Sequence, residues 1–408
     1  MPGLAGKGNK DDKGRKMIKY KALTGNEATA YVMKQINPDV VAVYPITPQT
    51  SLMQKFATYV SDGEVDTEMI LVESEHSAMS ACVGSSAAGA RTMTATSANG
   101  LALMWEIVYI AASTRLPIVM PVVNRALSGP INIHCDHSDT MGCRDSGWIQ
   151  LYSESVQEVY DNMIQAVRIA EDPEVLLPVM VMSDGFIISH GVENVEVYPD
   201  EDVKKFVGEY KPDRYLLDLK RPHTFGPIDL PDYYFEHKRQ QAHAMNMAAG
   251  SILKIAQEFK EKFGKLYSLI ESYKVHDAEV AIVAIGSTCG TAKAVVDELR
   301  AKNVKAGLLK IRSFRPFPED DIAVALLKCK AVAVLDRAEG FSATGGPLYR
   351  EIKSAMLGRE KVLVRNYIYG LGGRDIGMND IHSVYEDLQD IAKTGKMKPP
   401  IKYLGVRE

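Results

Sequence analysis

The sequence predicts an α/β protein with a mostly parallel, doubly wound sheet in its first half and a smaller α/β unit at its C-terminal end. Short apolar runs bounded by turn-forming residues alternate with helix-like segments from Gly25 to about His190, and the alternation returns after Ala278. Buried strands joined by helical crossovers are typical of parallel sheets. A length of 408 residues, with 46% hydrophobic and 25% charged residues, also predicts two or three globular domains.

Each half of the chain supplies its own strands and helices. In the first block the predicted strands are 40–44, 69–72, 92–95, 118–123 and 177–182, with helices that include 74–88, 101–112 and 156–170. In the second block the predicted strands are 279–286, 304–312, 331–338 and 361–368, with helices near 291–300, 320–329 and 348–356. We therefore expect one domain at residues 19–190 and another at residues 278–408.

Residues 191–277 have a different character and are predicted to connect the two domains. They begin with acidic residues and prolines and continue into a long amphipathic segment. Its apolar residues recur at spacings of three and four, which indicates one buried helical face. These residues are Met245, Ala248, Ile252, Ile255, Phe259 and Phe263.

Charge and composition exclude several classes of partner. A net charge of −4 spread along the chain gives no field for nucleic acid. No apolar stretch approaches the ~20 residues that a membrane helix needs, so no membrane association is expected. The Lys-rich residues 1–18 are predicted to be a mobile tail, and they lack the apolar core of a signal peptide. We therefore expect a cytoplasmic protein.

The cysteine pattern argues against a redox centre in this chain. Its five cysteines are widely spaced and form no C-x-x-C pair. Such spacing suits neither a disulfide framework nor an iron–sulfur cluster. We expect each to be a small buried residue: Cys82, Cys135, Cys143, Cys289 and Cys329.

Polar residues follow several predicted strands of the first block, at the points where the apolar runs end. Thr47, Glu75, Asn99 and Arg125 all occupy such positions. In open α/β sheets, ligands bind in the crevice beyond the carboxyl ends of the strands. The sequence therefore predicts that these four residues share one crevice.

The motifs around these residues resemble those of a known enzyme family. They occur in order along nearly the whole chain: YPITP (44–48), ESEHSA (73–78), ATSANGLALM (95–104), NRALS (124–128), DHSD (136–139), SDGF (183–186) and GLGGRD (370–375). The sequence resembles the alpha subunits of the 2-oxoacid:ferredoxin oxidoreductases. These are thiamine-diphosphate enzymes whose best-known member acts on pyruvate.

The resemblance implies that this chain holds half of a thiamine-diphosphate site. Residues 19–190 would form the pyrimidine-binding domain, and residues 278–408 a domain like the C-terminal domain of transketolase. The Gly-Asp-Gly stretch that usually binds the diphosphate and Mg²⁺ does not occur here. The resemblance therefore places that half-site on a beta subunit, with iron–sulfur clusters on partner subunits only.

The family pattern also implies the remaining partners. A gamma subunit and a ferredoxin-like delta subunit would carry electrons to ferredoxin, and coenzyme A would be the co-substrate. The assembly would be a dimer of the hetero-oligomer.

By resemblance, Glu75 is the carboxylate that hydrogen-bonds N1′ of the aminopyrimidine. The simpler alternative is that Glu75 only complements the dipole of the helix that follows Ser74, a contribution of about 0.3–1 kcal/mol. Glu73 is the remaining candidate for the catalytic carboxylate.

The resemblance also assigns the substrate side of the crevice. Thr47 would orient the 2-oxoacid, and the backbone of Tyr44, Pro45 and Ile46 would line the pyrimidine side of the cofactor. Arg125 would bind the substrate carboxylate, because a guanidinium fork matches a carboxylate bidentately. The alternative for Arg125 is a structural salt bridge.

Asn99 stands where family members usually have Gln, and the amide keeps its donor and acceptor with a shorter reach, so a contact with the cofactor is expected. The histidines and acids of residues 131–145 do not follow a zinc spacing, so we expect a hydrogen-bonded loop and no metal. The glycine-rich pieces GSTCGT, GFSATGG and GLGGRD could bind anions but more often mark tight turns. Contact of coenzyme A with these pieces stays open.

The substrate is the most open part of the prediction. Pyruvate-type members usually have NIWNDHSD, whereas this chain has NIHCDHSD at residues 132–139. Ile133 and His134 are therefore expected to line the substrate pocket. The resemblance implies oxidative decarboxylation of pyruvate, while the smaller imidazole leaves room for an aromatic acid such as phenylglyoxylate or for a branched acid. A catalytically silent scaffold subunit is the alternative from another class.

Overall fold

The structure, a computed structural model, describes residues 19–358 and 361–407. The tail predicted at residues 1–18 lies outside these ranges. The first part of the chain contains, in order, β1 (Lys19–Thr24), α1 (Gly25–Ile36), β2 (Val40–Val43), α2 (Thr50–Ser61), β3 (Glu68–Leu71), α3 (Glu75–Ala88), β4 (Thr92–Met93), α4 (Ala98–Leu103), α5 (Trp105–Ser113), β5 (Val119–Asn124), α6 (Ser138–Gly142), β6 (Ile149–Tyr152), α7 (Val156–Glu171), β7 (Val179–Asp184), β8 (Val192–Val197), α8 (Asp200–Val207) and α9 (Tyr234–Phe263).

The second part forms another run of alternating elements. In order these are β9 (Ile270–Tyr273), β10 (Val280–Ala284), α10 (Thr288–Ala301), β11 (Ala306–Ile311), β12 (Ser313–Arg315), α11 (Glu319–Leu326), β13 (Ala331–Asp336), α12 (Pro347–Ala355), β14 (Leu363–Tyr369), α13 (Met378–Thr394) and β15 (Ile401–Leu404). A short 3₁₀ turn at Leu371–Gly373 lies between β14 and α13.

The first sheet has seven strands in the order β12-β6-β7-β5-β4-β2-β3. All neighbouring strands are parallel except β12, which pairs antiparallel with β6. The predicted α/β class with a mostly parallel sheet is confirmed. Strand β6 was not predicted because Gln150 interrupts its apolar run. That side chain is buried and donates to the backbone oxygen of Thr140, so the strand can place an amide in the core.

The second sheet has six strands in the order β15-β14-β13-β10-β11-β9. All pairs are parallel except β9, which is antiparallel to β11. The predicted strands of this block are present, and α13, β9 and β15 are additional. Among the described helices, none combines the length and the apolar character that a membrane crossing requires.

Three strands pair across the predicted domain boundaries, which themselves stay predictions. Strand β8 lies within the predicted connecting segment but pairs antiparallel with β1 of the first unit. Strand β9 belongs to the second sheet although it lies within the predicted connecting segment at residues 191–277. Strand β12 follows β11 but joins the edge of the first sheet. The two units are therefore interlocked along one edge, which brings loops of the C-terminal unit close to the first sheet.

The predicted amphipathic helix is present as α9. Its buried residues include Ala248, Ile252, Ile255 and Phe259, which belong to the apolar core that also contains α1 and α7. Removing the Ile252, Ile255 and Phe259 side chains from water supplies about 1.5–3 kcal/mol each, which fixes the helix on the first unit. The predicted helix at residues 101–112 is instead divided at Met104 into α4 and α5.

Candidate active site

The carboxyl ends of the parallel strands form one edge of the first sheet, and the predicted site residues lie along it. Strand β2 leads into the turn of Thr47, β3 leads into Glu75, and β5 leads into Arg125. The Arg125 Nη1 atom donates to the backbone oxygen of Thr47 over 2.9 Å, so two of these strand ends meet directly. Asn99 follows β4 in the first turn of α4.

Arg125 is held by backbone groups and keeps part of its guanidinium free. Its Nε donates to the backbone oxygen of Asn132 over 2.9 Å, and its Nη1 to that of Thr47. Within residues 19–358 and 361–407, Nη2 makes no hydrogen bond, and no carboxylate forms an ion pair with this side chain. The side chain is nevertheless only 7% exposed. A buried cation without an internal counter-ion can bind an anionic ligand.

Glu75 begins α3 and carries a buried carboxylate that is free to meet a ligand. The residue is 6% exposed, and its carboxylate makes no hydrogen bond or ion pair with any described residue. A Cβ atom on Gly100 would lie 2.8 Å from Glu75 Oε1, so only glycine lets α4 approach this carboxylate. By contrast, Glu73 is exposed and accepts from the Ser77 hydroxyl over 2.8 Å, a hydrogen bond that lowers the pKa of Glu73.

Two buried hydroxyls where β4 leads into α4 have no hydrogen-bond partners among the described residues. These are Thr96 Oγ1 and Ser97 Oγ. A Cβ atom on Gly100 would lie 2.5 Å from Thr96 Oγ1 as well as 2.8 Å from Glu75 Oε1, so the Thr96 hydroxyl and the Glu75 carboxylate lie on the same side of α4. Buried polar atoms are normally paired, so this group of atoms is chemically suited to a polar ligand.

Asn99 uses its amide within the protein. Its Nδ2 donates to Ser128 Oγ over 2.6 Å, and its Oδ1 accepts from the Ser128 backbone N over 3.1 Å. The amide therefore fixes the segment after Arg125 against α4. A direct contact of Asn99 with a cofactor stays a prediction.

The Thr47 turn is held from both sides by buried amides that sequence reasoning missed. Gln49 accepts from the backbone N of Ile46 over 3.3 Å and donates to the backbone oxygen of Ala95 over 3.2 Å. Asn26 donates to the backbone oxygen of Pro48 over 2.8 Å. The Thr47 side chain itself is exposed at the edge of the sheet. A rigid turn thus carries an exposed Thr47 side chain beside the backbone oxygen that Arg125 contacts.

Asp139 is the second group that sequence reasoning missed as a support of the site. Its Oδ2 accepts from the backbone N of Ala98 over 3.1 Å and from that of Arg125 over 3.0 Å. Its Oδ1 accepts from Asn124 Nδ2 over 2.8 Å. Burial raises the pKa of Asp139 to about 6, although these donors favour the charged form. The carboxylate fixes the starts of α4 and of the Arg125 segment together.

Ile133 and His134 lie on the segment at residues 129–137, which we call the substrate loop. Ile133 is exposed, and the His134 ring lies 5.2 Å from the Phe186 ring at the end of β7. The backbone N of Ala126 donates to the His134 oxygen over 2.9 Å. The loop therefore lies beside the Arg125 segment, where it could form a wall of a pocket.

Cys135, His137 and Asp184 have ligand atoms within 4.8 Å of one another, as a metal site would require. The Asp184 carboxylate, however, is already paired with the Arg337 guanidinium. Asp184 Oδ1 lies 2.8 Å from His137 Nε2, and Asp184 Oδ2 accepts from Arg337 Nη1 over 3.0 Å. Burial alone would raise the pKa of Asp184, but the charges of His137 and Arg337 outweigh it and lower the pKa. The arrangement is a hydrogen-bonded network between the two units and offers no vacant ligand set.

The backbone N–H groups of the three glycine-rich turns donate hydrogen bonds to side chains of the same chain. In GSTCGT the backbone N of Ser287 donates to Asp184 over 3.1 Å, and in GLGGRD that of Gly372 donates to Asp136 over 3.2 Å. In GFSATGG the backbone N of Gly346 donates to Asn366 over 2.9 Å. Each turn therefore serves a contact inside the protein, and contact of coenzyme A with these turns stays a prediction.

Sequence comparison identifies the class of protein. Residues 31–257 match the family described as "Pyruvate flavodoxin/ferredoxin oxidoreductase, thiamine diP-bdg", and residues 278–381 match "Pyruvate:ferredoxin oxidoreductase core domain II". The chain is therefore an oxidoreductase built on a thiamine-diphosphate-binding type of domain.

Full-length relatives identify the family. The chain is 60% identical to pyruvate synthase subunit PorA of Thermotoga maritima over 96% of its length and 100% of the relative. It is 48% identical to PorA of Methanocaldococcus jannaschii over 91% of its length and 96% of the relative. It is also 42% identical to ketoisovalerate oxidoreductase subunit VorA of Pyrococcus abyssi over 95% of its length and 99% of the relative. The chain belongs to the alpha subunits of the 2-oxoacid:ferredoxin oxidoreductases.

Solved structures agree in fold. The 2-oxoglutarate:ferredoxin oxidoreductase of Magnetococcus marinus, solved with 2-oxoglutarate, coenzyme A and succinyl-CoA bound, matches with a TM-score of 0.72 and 22% identity. That match covers 91% of this chain and 65% of the other. A split-gene transketolase matches with a TM-score of 0.51 and 13% identity over 91% of this chain and 96% of the other. The predicted likeness of the domains to those of thiamine enzymes is confirmed.

Proposed function

We propose that this chain provides the pyrimidine half of a thiamine-diphosphate site and binds the carboxylate of pyruvate for its oxidative decarboxylation. One observation carries the proposal. The sheet edge combines a buried carboxylate without a described partner, Glu75, with a buried guanidinium, Arg125, that keeps Nη2 free. The aminopyrimidine of the cofactor needs a group that shares a proton with it, and the substrate carboxylate needs a group that binds an anion.

The residues present fit the aminopyrimidine ring. Glu75 would hold a proton at N1′ of the ring, and the unpartnered hydroxyls of Thr96 and Ser97 could accept or donate further hydrogen bonds. When bound, thiamine diphosphate supplies a carbon nucleophile that serves as an electron sink. The backbone of Tyr44, Pro45 and Ile46 would face the same ring.

The substrate carboxylate would bind at Arg125 with the Thr47 hydroxyl beside it. The fixed Nε and Nη1 contacts orient the guanidinium before the ligand arrives, which lowers the entropic cost of binding. Pyruvate is supported by the 60% identical PorA relative, whereas the VorA relative supports a branched acid as the second candidate. An aromatic acid remains a third outcome of the test below.

Electrons must leave through other polypeptides. The five cysteines are separated along the chain, and all are buried as free thiols. We propose a beta subunit that holds the diphosphate and Mg²⁺, gamma and ferredoxin-like delta subunits that carry iron–sulfur clusters, ferredoxin as acceptor, and coenzyme A as co-substrate. Large apolar side chains that are exposed in the segments around the candidate site support a partner subunit that covers them: Leu71, Leu103, Trp105 and Ile131.

The test uses the complex that co-purifies with this chain. Ferredoxin reduction is measured with pyruvate, 2-oxoisovalerate and phenylglyoxylate side by side, with and without coenzyme A. We expect coenzyme A-dependent activity with the highest kcat/KM for pyruvate. A more than hundredfold preference for phenylglyoxylate would overturn the assignment to pyruvate. Full activity of each of three complexes, carrying Glu75→Gln, Glu73→Gln or Arg125→Ala, would indicate a catalytically silent scaffold.

A further inference from the structure

The 3₁₀ turn at Leu371–Gly373 of the C-terminal unit is hydrogen-bonded directly to the substrate loop. Asn132 Nδ2 donates to the Gly372 oxygen over 3.0 Å, and the backbone N of Gly373 donates to the Cys135 oxygen over 2.7 Å. The backbone N of Gly372 also donates to Asp136 over 3.2 Å. Three contacts from one short turn therefore clamp the loop that follows Arg125.

Both glycines of this turn are needed for the contact. Gly372 has φ +57° and Gly373 has φ +78°, a conformation that side chains disfavour. A Cβ atom on Gly373 would lie 2.3 Å from His134 Cβ, and one on Gly372 would lie 2.6 Å from Asn132 Nδ2. Any side chain at Gly373 must therefore push the loop away from the C-terminal unit.

The clamped loop in turn holds the guanidinium that is proposed to bind the substrate. Arg125 Nε donates to the backbone oxygen of Asn132, the same residue whose side chain bonds to Gly372. The Asn132 side chain also accepts from the backbone N of His134 over 2.6 Å. One residue thus connects the glycine turn, the Arg125 side chain and the backbone of the expected pocket wall.

A second contact from the C-terminal unit fixes the end of the loop. The backbone N of His137 donates to the backbone oxygen of Arg337 over 2.7 Å, and the Arg337 side chain holds Asp184, which contacts the His137 ring. All three of these residues are buried. The Arg337 side chain also donates to the Gly370 oxygen, just before the turn, over 3.4 Å, but the backbone bond from His137 to Arg337 does not involve the turn. A disturbed turn should therefore shift the middle of the loop without detaching its end.

We propose that the Gly372–Gly373 turn is a positioning element of the substrate site, through which the C-terminal unit sets the direction of the Arg125 guanidinium and the place of His134. The turn acts through the substrate loop and does not itself touch the substrate. This inference rests on the proposed function, because it requires that Arg125 binds the carboxylate of the 2-oxoacid.

The test compares Gly373→Ala with Gly395→Ala in the purified complex. Gly395 ends α13 with φ +65°, and a Cβ atom added there would meet no other atom within 4 Å, so it carries the same backbone strain without the contact. A misplacement of ~1 Å can cost about 10²-fold in rate. We expect Gly373→Ala to raise the KM for pyruvate roughly tenfold or more and to change the ratio of kcat/KM between pyruvate and 2-oxoisovalerate. Gly395→Ala should lower the melting temperature through backbone strain alone and change neither kinetic quantity.

A second variant tests the same contact in case Gly373→Ala fails to fold. Asn132→Ala keeps the backbone oxygen that Arg125 uses and removes the side-chain bond to Gly372, so we expect the same direction of change. Calorimetric affinity for oxamate, a non-reacting isostere of pyruvate, should fall as KM rises in both variants.

Failure of the inference can be distinguished from failure of the proposed function. If Arg125→Ala raises the KM for pyruvate but Gly373→Ala and Asn132→Ala do no more than Gly395→Ala, the positioning role is overturned. If Arg125→Ala leaves the KM unchanged, the proposed substrate site itself is wrong.

Discussion

Arg125 Nη1 lies 2.9 Å from the backbone oxygen of Thr47, so the end of β5 is hydrogen-bonded to the turn that follows β2. Both groups come from the carboxyl edge of the parallel sheet, 78 residues apart in the chain. The bond aligns the guanidinium while Nη2 stays free of described partners. A rigid donor next to an exposed hydroxyl is suited to a small ligand that carries a carboxylate and a neighbouring carbonyl oxygen.

Replacement of Arg125 by alanine should remove most of the binding of the substrate carboxylate. Loss of one partner of a partly buried ion pair costs about 3–5 kcal/mol. Because ~1.36 kcal/mol is tenfold in rate, kcat/KM for pyruvate should fall roughly 10²–10³-fold. Arg125→Lys should recover only part of the loss, since the charge remains but the fork does not. An equal fall with an uncharged 2-oxo analogue would show that Arg125 does not bind the carboxylate.

Glu75→Gln should slow exchange of the C2 proton of bound thiamine diphosphate by about 10²–10⁴, the usual range for lost acid–base assistance. The reason is that Glu75 is buried and has no described partner, and an amide cannot share a proton with N1′ in the same way. Glu73→Gln is the matched control, because Glu73 is exposed and bonded to Ser77. Proton–deuteron exchange followed by NMR measures both variants. If Glu73→Gln slows exchange and Glu75→Gln does not, the roles of the two carboxylates are reversed.

The isolated chain should bind thiamine diphosphate poorly and catalyse nothing. Its sequence has no Gly-Asp-Gly stretch, so the diphosphate and its Mg²⁺ would find their ligands on a beta subunit. Isothermal calorimetry on the purified chain, with and without Mg²⁺, measures the affinity. Micromolar binding without a partner subunit would place the second half-site within this chain.

The sheets, and the alignment of the site residues along one sheet edge, could be predicted because both follow from local patterns. Apolar runs mark the strands, and the carboxyl ends of parallel strands must share one edge. The face of α9 was predictable for the same reason, since its spacing is set by helical geometry. Strand β6 could not be predicted in this way, because a single buried amide, Gln150, interrupts its apolar pattern.

The supports of the site could not be predicted because they join residues that are distant in sequence. Asp139 binds the backbone of Ala98 across 41 residues, and the Ser287 turn holds Asp184 across 103 residues. A carboxylate or an amide in a sequence does not reveal whether it is buried or which distant backbone group it meets. For the same reason, the sequence left open whether the glycine-rich turns bind an anion. Only the structure shows which side chain accepts the hydrogen bond from each turn.

Asp139 should make the stability of the chain depend on pH. Its pKa is raised from an ordinary value of 3.8 to about 6, so the folded chain binds more protons than the unfolded chain between these values. This contribution is fully present below pH 3.8 and is lost as the pH rises through about 6, a change of about 3 kcal/mol at ~1.36 kcal/mol per pKa unit. The difference in melting temperature between wild type and Asp139→Asn in the complex should therefore vary across this window. A constant difference from pH 4 to 7 would contradict the shifted pKa.

His134→Ala should change substrate selectivity while leaving the carboxylate contact intact. The His134 ring packs on Phe186 at 5.2 Å, and His190 packs on the same ring at 4.8 Å, so His190→Ala is a control that disturbs Phe186 without touching the substrate loop. A methylene-sized contact in a pocket is worth ~1–3 kcal/mol, so loss of the His134 ring should lower the ratio of kcat/KM for pyruvate over 2-oxoisovalerate roughly tenfold. The same assay with phenylglyoxylate should show a larger relative gain, because the opened space admits an aromatic ring. Equal shifts in both variants would assign the selectivity to Phe186, and unchanged ratios in both would remove His134 from the pocket wall.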